Sequence, residues 1–413
     1  MVLTIKNKRC RMCNSTKFIS VVNLGRHPLV NRLTSKKLLK TKDPTFPLHV
    51  KQCKKCYLVQ LKEIINSDEI YKKVNYLYFS SEMPNLKNYF RSYSKDLKKR
   101  FLKKNDFVVE IGSNDGLMLE NFKNSNKILG IDPATNVVIR ALKKKIPTIP
   151  EFFSKKIARK ILKEWGPAKI IYGNNCIAHL NNLVDVIRGV QELLVKKGVF
   201  VIECNYWSQM VKDTNYALIY HDHFSYFSIF TLNNFASKFG LHAFDAIVTP
   251  AQGGTLRIFF SKGKRKKTKR FLKLYKNEIT SKLNSLKTSH RYKKNVFYQT
   301  SKLSKIIKKI IFEGKTIAGY GASAKGMTII KSSGIGKKHI KYFVDDSPAK
   351  QGLFTAGDKI PIISRKDASK KLPDYFIILA PNYTKYIIQK ETKFLNSGGK
   401  FIIPVGNMDI ISK

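Results

Sequence analysis

The sequence predicts an α/β protein in which a small cysteine-rich N-terminal domain precedes two α/β domains. Strand-like apolar runs alternate with helical patterns in two separate parts of the chain, which favours parallel sheets covered by helices. Four of the six cysteines fall near the N-terminus as two C-x2-C pairs. A length of 413 residues suits two or three domains.

We expect the domains to span residues 1–74, 75–265 and 266–413. In the first, short strands are predicted at Phe18–Val22 and Tyr57–Leu61. In the second, the predicted strands are Phe107–Ile111, Lys127–Ile131, Ile170–Tyr172 and Val199–Glu203, and the predicted helices are Asn85–Lys103, Leu117–Phe122, Ile157–Trp165 and Leu183–Lys196. Residues 266–312 are predicted to form a long lysine-rich helical connector. The last strands are predicted at Thr316–Tyr320, Ile340–Val344, Tyr375–Ala380 and Lys400–Pro404.

The chain carries 78 lysines and arginines against 28 acidic residues, a net charge of +50. The lysines are scattered along the sequence, which favours a compositional bias over one binding surface, although an anionic ligand is the alternative. We find no apolar run long enough to span a membrane and no signal peptide. The sequence therefore predicts a cytosolic protein without membrane contact.

Cys10, Cys13, Cys53 and Cys56 form the two C-x2-C pairs. Zinc prefers four tetrahedral ligands, and two such turns close a site with no position for water. A structural zinc ion is therefore predicted, and it adds folding energy to a domain with a small core. Disulfides or an iron–sulfur centre are the alternatives, and a cytosolic setting disfavours disulfides. Cys176 and Cys204 are interpreted as buried small apolar residues.

The loop after the strand Phe107–Ile111 has the pattern E-x-G-x-x-x-G, and Asp132 ends the next strand. Glycines permit a tight turn close to a ligand, and a carboxylate at the second strand's end can accept hydrogen bonds from ribose hydroxyls. The spacing also fits a dinucleotide fold, but the polar Asn-Asp pair suits the sulfonium of S-adenosylmethionine better than a pyrophosphate. The predicted cofactor-binding residues here are Glu110, Gly112, Asn114, Asp115, Gly116 and Asp132.

Polar residues also follow a third predicted strand, Ile170–Tyr172. Open α/β sheets bind ligands at the carboxyl ends of their strands. Asn174 and Asn175 are therefore further candidates for cofactor contact. His179, a few residues on, is either a candidate site residue or an ordinary loop histidine.

The segment Tyr220–Ser228 concentrates polar and aromatic residues, with Asp222 between His221 and His223. Histidine titrates near neutral pH and can remove a proton. The segment is predicted to be catalytic; metal binding and a buried aromatic loop are the alternatives.

The turn Gly319–Gly326 follows a strand and opens a helix, so its backbone N–H groups suit an anion. Lys325 can add positive charge, and Asp345 ends the neighbouring strand. A second nucleotide site is predicted here. Its candidate residues are Gly319, Gly321, Ala322, Lys325, Gly326 and Asp345.

With these residues assembled, the chain resembles the three-domain C-methyltransferases that act on nucleotide-linked keto sugars. The matching segments occur in family order over nearly the whole chain. They are the paired C-x2-C, Glu110–Gly116, Tyr220–Tyr226, Gln252–Arg257, Gly319–Gly326 and Asp345–Gly352.

The resemblance implies a zinc-binding N-terminal domain, a class I S-adenosylmethionine methyltransferase domain of Rossmann-like fold, and a second Rossmann-like domain that helps bind the sugar nucleotide. It implies His223 as general base, with Asp222, Tyr220 and His179 around the sugar. Tyr76 and Tyr78 fall where the family places a substrate-facing tyrosine. Two positions depart from the family: Asp222 replaces the usual Glu, and Gln252 stands where His is frequent.

The predicted reaction is methylation of the carbon beside the ketone of a nucleotide-linked 4-keto deoxy sugar, in unusual-sugar or surface-polysaccharide biosynthesis. Methylation of oxygen or nitrogen is the nearest alternative. A zinc-ribbon protein that binds nucleic acid, suggested by the charge, and a non-catalytic scaffold are the others. Scattered lysines disfavour nucleic acid as a partner. We expect a monomer.

Overall fold

The computed structural model describes residues 4–72, 76–83 and 85–413. The expected boundary between residues 74 and 75 lies outside these ranges, as does the side chain of Gln252. Within these ranges, no helix has both the length and the apolar character that crossing a membrane requires.

The strands are β1 Thr4–Lys6, β2 Phe18–Pro28, β3 Thr45–Cys53, β4 Val59–Leu61, β5 Glu63–Ile65, β6 Phe107–Ile111, β7 Lys127–Ile131, β8 Thr148–Ile149, β9 Ala168–Asn174, β10 Leu194–Asn205, β11 Ser225–Tyr226, β12 Leu241–Thr249, β13 Thr255–Lys262, β14 Ile317–Tyr320, β15 Phe343–Val344, β16 Ile362–Ile363, β17 Tyr375–Ile378, β18 Lys400–Ile403 and β19 Asp409–Ile411. The α-helices are α1 Ser67–Tyr71, α2 Leu86–Phe101, α3 Thr135–Lys143, α4 Lys155–Trp165, α5 Leu183–Leu193, α6 Trp207–Asp213, α7 Ile229–Ala236, α8 Lys269–Thr280, α9 Leu286–Phe312, α10 Ala324–Ser332, α11 Arg365–Ala368, α12 Thr384–Lys390 and α13 Thr392–Asn396.

The central sheet has the order β12-β13-β10-β9-β6-β7-β8. Strands β8, β7, β6, β9 and β10 are parallel, and β13 and β12 add an antiparallel edge. Strand β6 is buried at every position, which explains its uninterrupted apolar run apart from Glu110. The carboxyl ends of β6, β7 and β9 therefore meet at one edge and bring three polar loops together.

The C-terminal sheet has the order β16-β15-β14-β17-β18-β19 and is parallel except for β19. Its central strand β14 is buried and leads directly into the Gly-rich turn before α10. The predicted second parallel α/β unit is thus present.

The N-terminal sheet joins parts of the chain that are distant in sequence. Its order is β11-β4-β3-β2, so Ser225–Tyr226 of the predicted catalytic segment forms its edge strand. Ser225 pairs with Gln60, and Tyr226 with Val59. The predicted catalytic segment is therefore held by the cysteine-rich part of the chain.

The connector at 266–312 is helical, as predicted, and consists of two helices with a break at 281–285. Two other sequence predictions about local structure are wrong. Leu117–Phe122 is not an α-helix but a series of turns with a short 3₁₀ segment, in which Leu117, Met118 and Phe122 all pack into one core. The strand predicted from Tyr57 begins only at Val59, since Tyr57 adopts a left-handed backbone with φ 64°.

Candidate functional site

The two C-x2-C pairs form two loops of matching geometry. In each loop the residue after the second cysteine is left-handed, with φ 64° at both Asn14 and Tyr57. The N–H of Asn14 donates to the carbonyl of Cys10, and the N–H of Tyr57 to that of Cys53, both at 3.0 Å. Each loop thus folds its two sulfurs to one side.

The four sulfurs fit a tetrahedral metal. Cys10 and Cys56 lie 3.4 Å apart at Sγ, Cys13 and Cys53 lie 3.6 Å apart, and all four sulfurs fall within 4.8 Å of one another. Zinc–sulfur bonds of about 2.3 Å in a tetrahedron place sulfurs roughly 3.8 Å apart. All four cysteines are free thiols, so the disulfide alternative is wrong. The residues present would hold zinc in a closed site whose role is structural.

The loop after β6 is shaped by close packing. Gly112 has φ +69°, and a Cβ there would lie 2.5 Å from Cβ of Cys176. Cys176 donates its thiol to the carbonyl of Ile111 at 2.8 Å and lines the cavity described below. The interpretation of Cys176 as a buried apolar residue is therefore wrong, whereas Cys204 is fully buried.

Asp132 lies at the end of β7, beside this loop. Its Oδ2 accepts from the N–H of Asn114 and its Oδ1 from the N–H of Ala134, both at 2.9 Å. Burial raises the pKa of Asp132 to about 6. Each carboxylate oxygen keeps a lone pair, so Asp132 can still accept from ribose hydroxyls.

Asn114 and Asp115 hold a neighbouring segment with their side chains. The Oδ1 of Asn114 accepts from the N–H of Ser80 at 2.8 Å, and Oδ2 of Asp115 accepts from the N–H of Ser81 at 3.1 Å. These bonds fix the segment that carries Tyr76 and Tyr78 beside the loop. Contact of Asn114 and Asp115 with the cofactor stays a prediction.

Glu110 lies behind the loop. It accepts from the hydroxyl of Tyr172 and from Nδ2 of Asn174, both at 3.3 Å, and burial raises its pKa well above the usual value. Asn174 keeps its Oδ1 buried and without a donor among the described residues. Asp132 and Asn174 lie on the wall of the cavity described below, and their oxygens fit the cationic sulfonium and amino groups of S-adenosylmethionine.

One cavity of about 590 Å³ connects the three predicted parts of the site. The predicted residues on its wall are Gly112, Asn114, Asp132, Asn174, Asn175, His179, Tyr220, Asp222, His223, Tyr76, Tyr78, Gly321, Ala322, Lys325 and Asp345. The predicted residues that are not on its wall are Glu110, Asp115, Gly116, Gly319 and Gly326. Gly116, Gly319 and Gly326 instead allow close packing, since a Cβ at each would meet a neighbour within 2.8 Å.

His223 occupies the middle of the cavity wall. Its Nδ1 lies 2.7 Å from the carbonyl of Leu218, so Nδ1 carries the proton, and the lone pair of Nε2 has Nδ2 of Asn205 at 3.4 Å. Tyr220 packs against the ring at a centroid distance of 3.9 Å. Burial, reinforced by His179, lowers the pKa of His223 well below its usual value. The imidazole is therefore neutral in this structure.

His179 and Asp222 flank His223, and each has a partner from the N-terminal part of the chain. The Nδ1 of His179 lies 2.8 Å from the hydroxyl of Tyr71, and burial lowers the pKa of His179 to about 4. Asp222 accepts from Nδ2 of Asn31 at 2.5 Å, and burial raises its pKa to about 6. Sequence patterns did not reveal Asn31 or Tyr71.

Two other residues of the matching segments lie away from the cavity. His221 is buried behind the site against the ring of Phe46, so it does not share a metal with His223. Arg257 pairs with Glu203 at 2.8 Å in the sheet core. Within the described ranges, the four cysteines form the one group of three or more close metal-ligating side chains.

The C-terminal turn enters the cavity from the opposite side. Gly321 has φ +95°, and the N–H of Ala322 donates to Oδ2 of Asp345 at 2.8 Å. Lys350 also bonds Asp345, at 3.2 Å. Burial lowers the pKa of Lys325 to about 7. We call this side, where Lys325 and Lys350 lie beside Asp345 and Asp346, the basic side of the cavity after its two lysines.

Comparison with known families agrees with this arrangement. Residues 10–71 match a zinc binding domain family, residues 86–244 a methyltransferase domain family, and residues 250–406 the C-methyltransferase C-terminal domain family. The C-methyltransferase NovU of Streptomyces niveus is 30% identical over 407 residues, which cover 98% of this chain and 96% of that protein. The chain belongs to this family of C-methyltransferases.

Two solved structures are also similar to part of this C-methyltransferase. An S-adenosylmethionine-dependent methyltransferase from Clostridium acetobutylicum is 12% identical and covers 45% of this chain and 94% of its own, with a TM-score of 0.34. Magnesium protoporphyrin IX methyltransferase from Synechocystis is 9% identical and covers 43% and 79%, with a TM-score of 0.33.

Membership of the family confirms several sequence predictions. The protein is an S-adenosylmethionine-dependent C-methyltransferase with a class I methyltransferase domain, a zinc-binding N-terminal domain and the family's C-terminal domain. S-adenosylmethionine supplies, when bound, a methyl group on a cationic sulfur that a carbon nucleophile can take. The nucleic-acid-binding alternative raised by the net charge and the non-catalytic scaffold are not supported.

Proposed function

We propose that this C-methyltransferase methylates the carbon beside the ketone of a nucleotide-linked 4-keto deoxy sugar, in unusual-sugar or surface-polysaccharide biosynthesis in the cytoplasm. The observation that carries the proposal is the single cavity that runs from the acidic loop after β6, past His223, to the basic turn after β14. We also propose that the domains end near residues 74 and 265.

His223 acts as the general base. A carbon beside a ketone becomes a nucleophile when its proton is removed, because the resulting enolate places negative charge on that carbon. Nε2 of His223 can take this proton, since Nδ1 is occupied with the carbonyl of Leu218. The proton then resides on the imidazole, and the carbon is free to accept the methyl group. A positioned base contributes about 10²–10⁴-fold.

Neighbouring groups hold the ketone sugar against His223. Asp222 and Tyr220 lie on the same wall and offer an acceptor and a donor for sugar hydroxyls. The Nε2 of His179 has no partner among the described residues. When the hydroxyl of Tyr71 donates to Nδ1, Nε2 carries a proton and can donate to the enolate oxygen.

The nucleotide part fits the basic side of the cavity. Helix α10 begins at Ala324, and the positive end of the helix dipole at its N-terminus favours a phosphate. Lys325 and Lys350 line the same wall and add positive charge. A diphosphate between the nucleoside and the sugar would lie here, and the ketone would reach His223. The same basic wall suits a nucleotide-linked sugar better than a neutral ketone.

The test is incubation of the protein with S-adenosylmethionine and a panel of nucleotide-linked 4-keto sugars, read by mass spectrometry. We expect one panel member to gain a single methyl group, and NMR to show a new methyl on carbon rather than on oxygen. The matching free sugars, without the nucleotide, are the control and should react at least about tenfold more slowly. Equal turnover of free and nucleotide-linked sugars would refute the role of the basic wall.

A further inference from the structure

Arg11 lies between the proposed metal ligands Cys10 and Cys13, and its side chain extends from the zinc loop to residues 180–181 and to Ser225. One guanidinium nitrogen donates to the hydroxyl of Ser225, and another to the carbonyls of Leu180 and Asn181. The guanidinium carbon also lies 5.3 Å from the ring centre of Phe224. A single side chain thus bridges two loops that are far apart in sequence.

Both loops carry the histidines of the site. Leu180 directly follows His179, and Ser225 is two residues after His223. The backbones of the loops are already tied together, because the N–H of Phe224 donates to the carbonyl of Ala178 at 2.9 Å. Arg11 joins the same two loops through its side chain, which comes from the zinc loop. Its position therefore bears on the distance between His179 and His223, whose ring centres lie 5.0 Å apart.

The second zinc loop provides an internal comparison. Lys54 follows Cys53 as Arg11 follows Cys10, but Lys54 is exposed. The two zinc loops share their backbone geometry, so Arg11 and Lys54 differ in the residues that their side chains contact. A structural zinc site does not require the contacts of Arg11 with Ser225, Leu180 and Asn181. Metal binding alone therefore does not explain them.

We propose that Arg11 is a positioning residue through which the zinc loop sets the relative placement of the two histidine loops. The metal fixes the backbone on both sides of Arg11, and the planar guanidinium then binds acceptors in both histidine loops at once. Zinc is then a determinant of active-site geometry as well as of folding. The expected effect on turnover rests on the proposed roles of His179 and His223. The hydrogen bonds by which Arg11 joins the two loops do not depend on those roles.

The test compares Arg11→Ala, Arg11→Gln and Arg11→Lys with the matched control Lys54→Ala, all in the full-length zinc-loaded protein. We expect zinc content and S-adenosylmethionine affinity to stay unchanged in each. The Arg11→Ala and Arg11→Gln variants should lose about 10- to 100-fold in kcat with little change in KM, as expected when reacting groups are displaced by about 1 Å. Arg11→Lys should recover part of this loss, because lysine keeps the charge without the two-pronged geometry.

Hydrogen–deuterium exchange provides a readout that is independent of chemistry. In the Arg11→Ala and Arg11→Gln variants, the amides of His179, His223 and Phe224 should exchange faster, and Lys54→Ala should match the parent protein. Unchanged exchange and unchanged kcat in a zinc-loaded Arg11 variant would overturn the proposal, as would an equal loss of kcat in Lys54→Ala. If exchange is faster in the Arg11 variants but His223→Ala keeps full activity, the proposed base is refuted. The proposal that Arg11 bridges the two loops would still hold.

Discussion

The loops after β6 and β14 share one backbone design. Gly112 donates its N–H to the carbonyl of Ile131 at 2.8 Å, and Gly321 donates its N–H to that of Val344 at 2.7 Å. Both glycines have positive φ, and in both loops a later N–H donates to the aspartate that ends the neighbouring strand. Two separate parallel sheets thus present the same turn to one cavity.

The two loops differ in charge. The first is surrounded by carboxyl and amide groups, and among the described residues Asp132 forms no ion pair, whereas Asp345 pairs with Lys350 at 3.2 Å. The second loop continues directly into α10 and carries Lys325. The same backbone design can therefore serve a cationic ligand on one side and an anionic ligand on the other. His223 lies on the wall between them.

The largest effect is expected at His223, where the two sides meet. Replacing His223 by Ala removes the proposed base and leaves both loops intact. We expect kcat to fall by about 10²–10⁴-fold, while S-adenosylmethionine affinity, measured by calorimetry, stays within about twofold.

His221→Ala is the neighbouring comparison, since His221 is buried away from the cavity wall. It should affect thermal stability more than kcat. Turnover by His223→Ala at the parent rate would contradict the assignment of the base.

The second prediction separates the two loops. A Cβ at position 112 would lie 2.5 Å from Cβ of Cys176, and one at position 321 would lie 2.7 Å from Cβ of Ala380. Gly112→Ala should therefore raise KM for S-adenosylmethionine, and Gly321→Ala should raise KM for the acceptor, each with a loss of about 10²-fold in the corresponding kcat/KM.

Gly240→Ala is the matched control, because Gly240 has φ +73° and no atom within 4 Å of the added Cβ. This variant introduces the strain of a positive φ without a steric clash of the added Cβ, and both KM values should stay unchanged. If both loop variants raised the same KM, the two sides would not bind different ligands.

The sequence was sufficient to predict most of the parallel strands and the composition of both loops. Buried parallel strands are continuous apolar runs, so Phe107–Ile111 and Lys127–Ile131 were predicted with their observed bounds. The partners of the site were not predicted, because Asn31 reaches Asp222 and Tyr71 reaches His179 across long stretches of chain. No local spacing encodes such contacts. The roles of the site residues stay predictions until the variants are measured.

The third prediction concerns the two strand-end aspartates. Asp132→Asn keeps the size of the side chain but removes the charge and one strong acceptor for ribose hydroxyls. A hydrogen bond to a charged group contributes about 1.5–3 kcal/mol, so KM for S-adenosylmethionine should rise about tenfold or more. Asp345→Asn should leave that KM unchanged and alter KM for the acceptor. Steady-state kinetics with each substrate varied in turn measures both.

The smallest expected effect is a pH dependence of acceptor binding. Burial lowers the pKa of Lys325 to about 7, so the ammonium form dominates below that pH and the neutral amine above it. An anionic acceptor binds the ammonium form better and raises its pKa in the complex. Affinity is therefore full below about pH 7 and weakens as pH rises through it. We expect KM for the acceptor to rise about threefold to fivefold between pH 6 and pH 8.

The variant Lys325→Met identifies the group responsible. It should bind the acceptor weakly at every pH and show a flat profile between pH 7 and pH 8, whereas KM for S-adenosylmethionine should keep its parent profile. Asp132 and Asp222 also have pKa values raised to about 6 by burial, so their titration falls in the lower half of the range from pH 6 to pH 8, and the interval from pH 7 to pH 8 reports mainly on Lys325. A Lys325→Met profile that still rises between pH 7 and pH 8 would assign the dependence to another group. A flat profile in the parent protein would mean that Lys325 does not contact the charged part of the acceptor, and that the basic side of the cavity acts through Lys350 and the start of α10 alone.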